Sequence, residues 1–275
     1  MNRISAITAA FAATFCIATG VQAQEKVHYR STTFLTVAPD KAAAATDFAR
    51  TVVAKLAQEN ISAGRSTSWS LLRTAYAGDG TNYNFIQVIN FDGPPAAELS
   101  TEARDQLYKK ATGMSYQDYQ KKTSTFFVST GNSVLSRIEA SAGSAPVAVG
   151  SLVEVTRWKI SPGRAADYAT YIKTKAQPLN AEGVKRGVFQ SWSASRAIFP
   201  SGDDVAYDAT TSNIFKDMAQ VLDPGPGNPN QGAAGAYVQI FPDKTYSAFV
   251  EEGRLLRHSV KRELWRVVAV AGPAH

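Results

Sequence analysis

The chain has 275 residues, of which 44% are hydrophobic and 19% charged, and its net charge is +6 at pH 7. That balance excludes a disordered polymer, and the length suffices for two compact cores. The basic excess is scattered, with Lys109-Lys110 and Lys121-Lys122 as the only paired lysines, so the charge stripe of a nucleic-acid binder is missing.

Arg3 is followed by an uncharged, mostly apolar run from Ile4 to Ala18, and Val21-Gln22-Ala23 offers a small-residue exit. A positive start, a short apolar centre and a cleavage site are the pattern of a secretory signal over residues 1–23. The mature chain is then secreted or periplasmic, with no stable membrane insertion once the signal is removed. Cys16 lies inside that segment, so the mature chain has no disulfide, no thiol nucleophile and no cysteine metal site.

From here the chain repeats itself. Pro39, Gly64, Trp69, Arg73 and Tyr76 are answered 123 positions later by Pro162, Gly187, Trp192, Arg196 and Phe199. One offset held through several elements marks an internal duplication. The first copy spans 24–139, a linker 140–151, and the second copy 152–275. Each copy opens on a strand, Ser31 to Val37 or Leu152 to Ile160, rich in β-branched and aromatic residues and stopped just before a proline. A helix follows, from about Lys41 to Glu59 or Ala165 to Leu179, then a glycine turn and the Trp-bearing strand. Gly78-Asp79-Gly80 or Ser201-Gly202-Asp203 turns into a third strand, and helical material leads to the last.

Near the ends the offset grows: Tyr116 and Tyr119 match Tyr246 and Phe249 at 130, and Leu135 and Arg137 match Leu264 and Arg266 at 129. An insertion in the Pro-Gly-Asn loop of the second copy, Asp223 to Gly235, accounts for the shift. The fold class is therefore α+β. Two tandem ferredoxin-like β-α-β-β-α-β repeats have their antiparallel sheets packed as an intramolecular alpha-beta barrel. Phe34 and Leu35 sit on opposite sides of one strand, as do Leu71 and Leu72, so both sheet faces need cover.

Val37-Ala38-Pro39-Asp40-Lys41 and Ile160-Ser161-Pro162-Gly163-Arg164, each followed by a helix and a Trp-bearing strand, resemble the dimeric alpha-beta barrel superfamily. The tandem arrangement is most similar to that of NIPSNAP-like proteins. The resemblance implies the barrel and admits a homodimer, but it spans cofactor-free monooxygenases, cyclases, isomerases and haem enzymes, so it selects no reaction. Because some relatives hold haem by a histidine of the second copy, it also makes His258 the one haem candidate. Arg257-His258 at a helix end equally serves the helix dipole without any ligand. Otherwise no cofactor is expected, since no pair among His28, His258 and His275 has metal-ligand spacing.

Candidate ligand-binding residues come from strand alternation. Trp192 and Arg196 share a face of the Trp strand, Arg157 and Lys159 share a face of the second copy's first strand, and Arg266 lies on its last. Converging, they would form a cationic pocket beside an indole, fit for a small anionic or aromatic molecule. The plainer reading has the tryptophans in the core and the arginines paired with acids. Tyr76, Tyr83, Tyr207 and Asp208 are the acid-base candidates should the protein be a cofactor-independent enzyme acting on an aromatic or polyketide-like substrate. A small-molecule-binding barrel without a catalytic motif is the leading expectation. A barrel filled by its own side chains would argue against the enzyme.

Overall fold

In the first half, β1 (His28–Thr36) runs into a helix over residues 39–62, here α1. Pro39 stands in its opening turn, where a missing N–H costs nothing. Then come β2 (Ser68–Tyr76), β3 (Phe85–Asp92), α2 (Thr101–Thr112), α3 (Tyr116–Ser124) and β4 (Val128–Ala142). Ser100 and Ser115 cap α2 and α3 by accepting from Ala103 N at 3.2 Å and Asp118 N at 3.1 Å. The second half repeats the order with β5 (Leu152–Ile160), α4 (165–185), β6 (Ser191–Phe199), β7 (Ala209–Phe215), α5 (Met218–Leu222), α6 (Tyr246–Leu256) and β8 (Arg257–Ala271). This computed structural model describes residues 26–76, 81–202, 204–222 and 237–272, without the side chains of 129–132. The segment 1–23, the Gly78-Asp79-Gly80 turn, the Asp223–Gly235 loop and His275 lie outside the described residues.

The eight strands close into one barrel in the order β1-β3-β2-β8-β5-β7-β6-β4, each antiparallel to its neighbours. The two sheets do not stack face to face: they join by their edges. β4 and β8, at 15 residues each, make the joints. β4 pairs with β1 of its own half and then with β6 of the other, while β8 pairs with β5 and with β2. Register shifts at Leu71/Leu72 and at Ile138/Ala140 mark the bends that let these pairs turn the corner.

Closure explains why both faces of each strand carry large residues. One face looks into the lumen, where Phe34, Leu72, Ile86, Val134, Val153, Trp265 and Val267 form a cluster. The opposite face, with Leu71, Phe85 and both repeat-matched tryptophans, is covered by helices. Trp69 and Trp192 are each only 4% exposed there. Both halves also share a five-residue π-helical turn at one repeat position, Ala49–Val53 and Ile172–Ala176.

Residues 140–142 of the expected linker belong to β4, and the rest is tied down. Gly150 N donates to Val267 O at 2.9 Å, and Val147 packs on the lumen cluster. At Gly143, φ is +76° and an added Cβ would stand 2.6 Å from the Gln190 carbonyl oxygen. Gly143→Ala is therefore expected to cost about 2 kcal/mol in urea unfolding, from left-handed strain plus a backbone clash. An unchanged midpoint would show that the β4 exit has room to move.

Candidate functional site

Two clefts lie between the outer face of the barrel and the helices, one in each half. The first, about 450 Å³, is walled by Leu35, Val53, Leu56, Trp69, Ile89 and Phe127. The second, about 470 Å³, has Trp158, Leu179, Asn180, Trp192, Asn213 and Arg257 among its walls. They are the same place in the two repeats. Leu35 and Trp158 are 123 residues apart, as are Trp69 and Trp192, and Ile89 faces Trp69 across the ladder as Asn213 faces Trp192. Thr36 pairs with Val128 and Lys159 with His258, so Phe127 and Arg257 are also counterparts.

Their chemistry has diverged. Where the first cleft has Leu35, Ala57, Ile89 and Phe127, the second has Trp158, Asn180, Asn213 and Arg257. The Arg257 guanidinium carbon lies 3.8 Å from the centre of the Trp158 ring and 5.4 Å from that of Tyr168. One of its nitrogens donates to the Tyr168 hydroxyl at 3.4 Å. Among the described residues no carboxylate forms an ion pair with it. Stacking between planar rings keeps a guanidinium in place without neutralising it. Glu154, by contrast, is engaged: Arg262 forms an ion pair with it and Asn213 Nδ2 donates to it at 3.2 Å. Asn213 Oδ1 is buried with no hydrogen-bond partner among the described residues.

The lumen is largely filled, with a residual cavity of about 90 Å³. Arg157 points into it and forms a buried ion pair with Glu263 at 2.7 Å, their side chains 10% and 0% exposed. Lys261 reaches the same carboxylate at 3.2 Å, and Tyr83 donates to it at 3.0 Å. Burial pushes the Tyr83 phenol up to about 12 and raises that of Tyr207 as well, so neither serves as a base near neutrality.

The residues expected to converge do not. Arg157 and Lys159 share a face as alternation requires, but it is the lumen face. Lys159 bonds Asp208 at 3.3 Å and the Val205 carbonyl at 2.8 Å. Trp192 and Arg196 are on the outer face, where Arg196 pairs with Glu139 at 3.1 Å. Arg266 donates to the Gly150 carbonyl at 3.3 Å and lines neither cleft. Of the five, only Trp192 lines the second cleft. Of the acid-base candidates, Tyr76 is exposed, and Asp208 accepts from Ile160 N at 2.8 Å besides holding Lys159.

Sequence reasoning missed Trp158 and Arg257. The signal for Trp158 was its place one residue from Arg157, on the opposite face. Arg257 was assigned to a helix end, whereas it opens β8.

Haem does not fit these clefts. Among the described residues neither is lined by a histidine, cysteine or methionine. His258 is exposed and pairs with Lys159 in the ladder instead of facing the second cleft. The first cleft offers Tyr119 as an oxygen ligand, but burial holds that phenol protonated, up to about 12.

No protein-family model and no curated protein matches the chain. Solved structures do. A candidate monooxygenase from Fusobacterium nucleatum subsp. nucleatum superposes with a TM-score of 0.57 at 9% identity, covering 91% of this chain and 97% of its own. An anthrone oxidase-like protein gives 0.49 at 10% identity, over 92% and 95%. A heme-binding protein from Thermus thermophilus gives 0.45 at 9% identity, over 88% and 91%. The first of these likenesses shows a shared fold and no more, here an eight-stranded antiparallel barrel closed within a single chain. No described helix is long and apolar enough to cross a membrane.

Proposed function

We propose that this is an exported binding protein for a small aromatic or acyl carboxylate, held in the cleft of the second half. The observation that carries the reading is Arg257: a cation without a carboxylate partner among the described residues, stacked on Trp158 at the wall of a ligand-sized cleft. The ligand's anionic end would meet the guanidinium, and its rings or chain would lie against Trp158, Trp192 and Phe249. Export rests on the signal pattern of residues 1–23.

Binding is favoured over catalysis by the state of the acid-base groups that line the cleft. Glu154 is tied to Arg262 and Asn213, and the Tyr246 phenol is raised by burial, so neither is a ready base. The cofactor-independent enzyme would need one of them freed on substrate entry.

Titration with 1-naphthoate, followed by quenching of tryptophan fluorescence, tests the reading. Saturable binding is expected, and Arg257→Ala should weaken it about 30-fold, the low end of what truncating one side of a desolvated charge pair costs. Arg196→Ala should leave it unchanged, because Arg196 lies outside the cleft. Equal affinity of the Arg257→Ala variant and the wild type would sink the proposal.

A further inference from the structure

The lumen carries a second cation that its own walls leave uncompensated. Arg30 lies two and four residues before Thr32 and Phe34 on the inward face of β1 and lines the same 90 Å³ cavity as Arg157. Its contacts are neutral: Nε donates to Asn90 Oδ1 at 3.0 Å and Nη1 to Ser193 Oγ at 3.2 Å. Among the described residues no carboxylate pairs with it. Lys159 on the same face is answered by Asp208, so Arg30, Arg157 and Lys261 are left with the one described carboxylate of Glu263 among them.

The wall beside Arg30 is built of hydroxyls. Ser136 on β4 and Ser212 on β7 line the cavity and are 6% and 9% exposed. Ser195, two residues beyond Ser193 on β6 and outside the cavity lining itself, is 2% exposed and its Oγ has no partner among the described residues. A guanidinium and serine hydroxyls around a small void form a donor set with no anion of their own. Holding even a partly buried charge unpaired carries a cost.

We propose that the barrel lumen binds a small monovalent anion, of the size of a halide or nitrate, against Arg30 and the serine wall. The anion supplies the charge that Glu263 supplies to Arg157. It is a structural ion of the closed barrel and separate from the ligand of the outer cleft. The chain then links anion concentration to stability, since an ion held only by the folded state favours that state.

The test is the thermal midpoint of the mature chain at constant ionic strength, with bromide replacing gluconate, an anion too bulky for the cavity. The midpoint should rise saturably, by about 5 °C once bromide reaches 100-fold over its dissociation constant. In Arg30→Gln, which keeps a donor for Asn90, the rise should vanish, while Arg262→Gln on the outer surface keeps it. Bromide-soaked crystals should show an anomalous peak beside Arg30. A midpoint indifferent to bromide, a rise retained in Arg30→Gln, or anomalous peaks only at the surface would each overturn the proposal. Should Arg30→Gln fail to fold, the wild-type titration and the crystal still decide. Neither readout depends on Arg257, so loss of the naphthoate site leaves this result standing.

Discussion

Glu263→Gln is expected to lower the free energy of unfolding by about 3–5 kcal/mol in urea titration. The carboxylate is 0% exposed and faces two cations, Arg157 at 2.7 Å and Lys261 at 3.2 Å. Glutamine keeps the shape but removes the charge, and leaves both cations without a paired carboxylate among the described residues. The cost belongs to the abandoned partners more than to the lost attraction. The double replacement Glu263→Met with Arg157→Met should therefore recover the share that belongs to Arg157, since apolar residues of similar volume can match a buried pair, and leave the share of Lys261. A Glu263→Gln variant as stable as the wild type would mean that water reaches the cluster freely and screens it.

Trp265→Ala is expected to cost a further large amount, about 3–5 kcal/mol, by emptying the middle of the lumen. Trp265 is 0% exposed, stacks with Tyr83 at 5.9 Å between ring centres, and belongs to the strand that joins the halves. It pairs with Val153 of β5 on one side and Thr74 of β2 on the other. Its indole N–H is buried with no partner among the described residues. Trp265→Phe should consequently cost well under half as much, because it keeps most of the packing and discards an unsatisfied donor. Equal losses for the two variants would show that the N–H carries a bond that matters.

The duplication was legible because its markers obey local rules. Pro39 and Pro162 stand between a strand and the helix that follows it whatever surrounds them, and a Trp kept at one offset in a strand declares a face that must be covered. What alternation could not say is which face turns inward, because that is settled by closure, through strands paired from far apart in the chain. Arg157 and Trp192 looked like neighbours in one pocket, yet the wall of the barrel stands between them. Trp158 was hidden for the same reason. Arg257 was hidden differently: the boundary between α6 and β8 falls on it, and one residue decides between a solvated helix end and a cation stacked on an indole.

The crossing of β4 and β8 has a consequence for how such a chain could arise. Either half alone is an open sheet whose outer strands offer unpaired edges, β2 and β4 in one, β6 and β8 in the other. Because β2 answers β6 and β4 answers β8, two copies of the same half present each other with the edges that the fused chain pairs internally. A single-repeat ancestor would close the barrel as a pair of identical subunits, with two identical clefts. Joining two such copies in one chain fixes the pairing and frees each cleft from matching its twin, which is the condition under which the second can hold Arg257 where the first has Phe127, and the first Arg65 where the second has Val188.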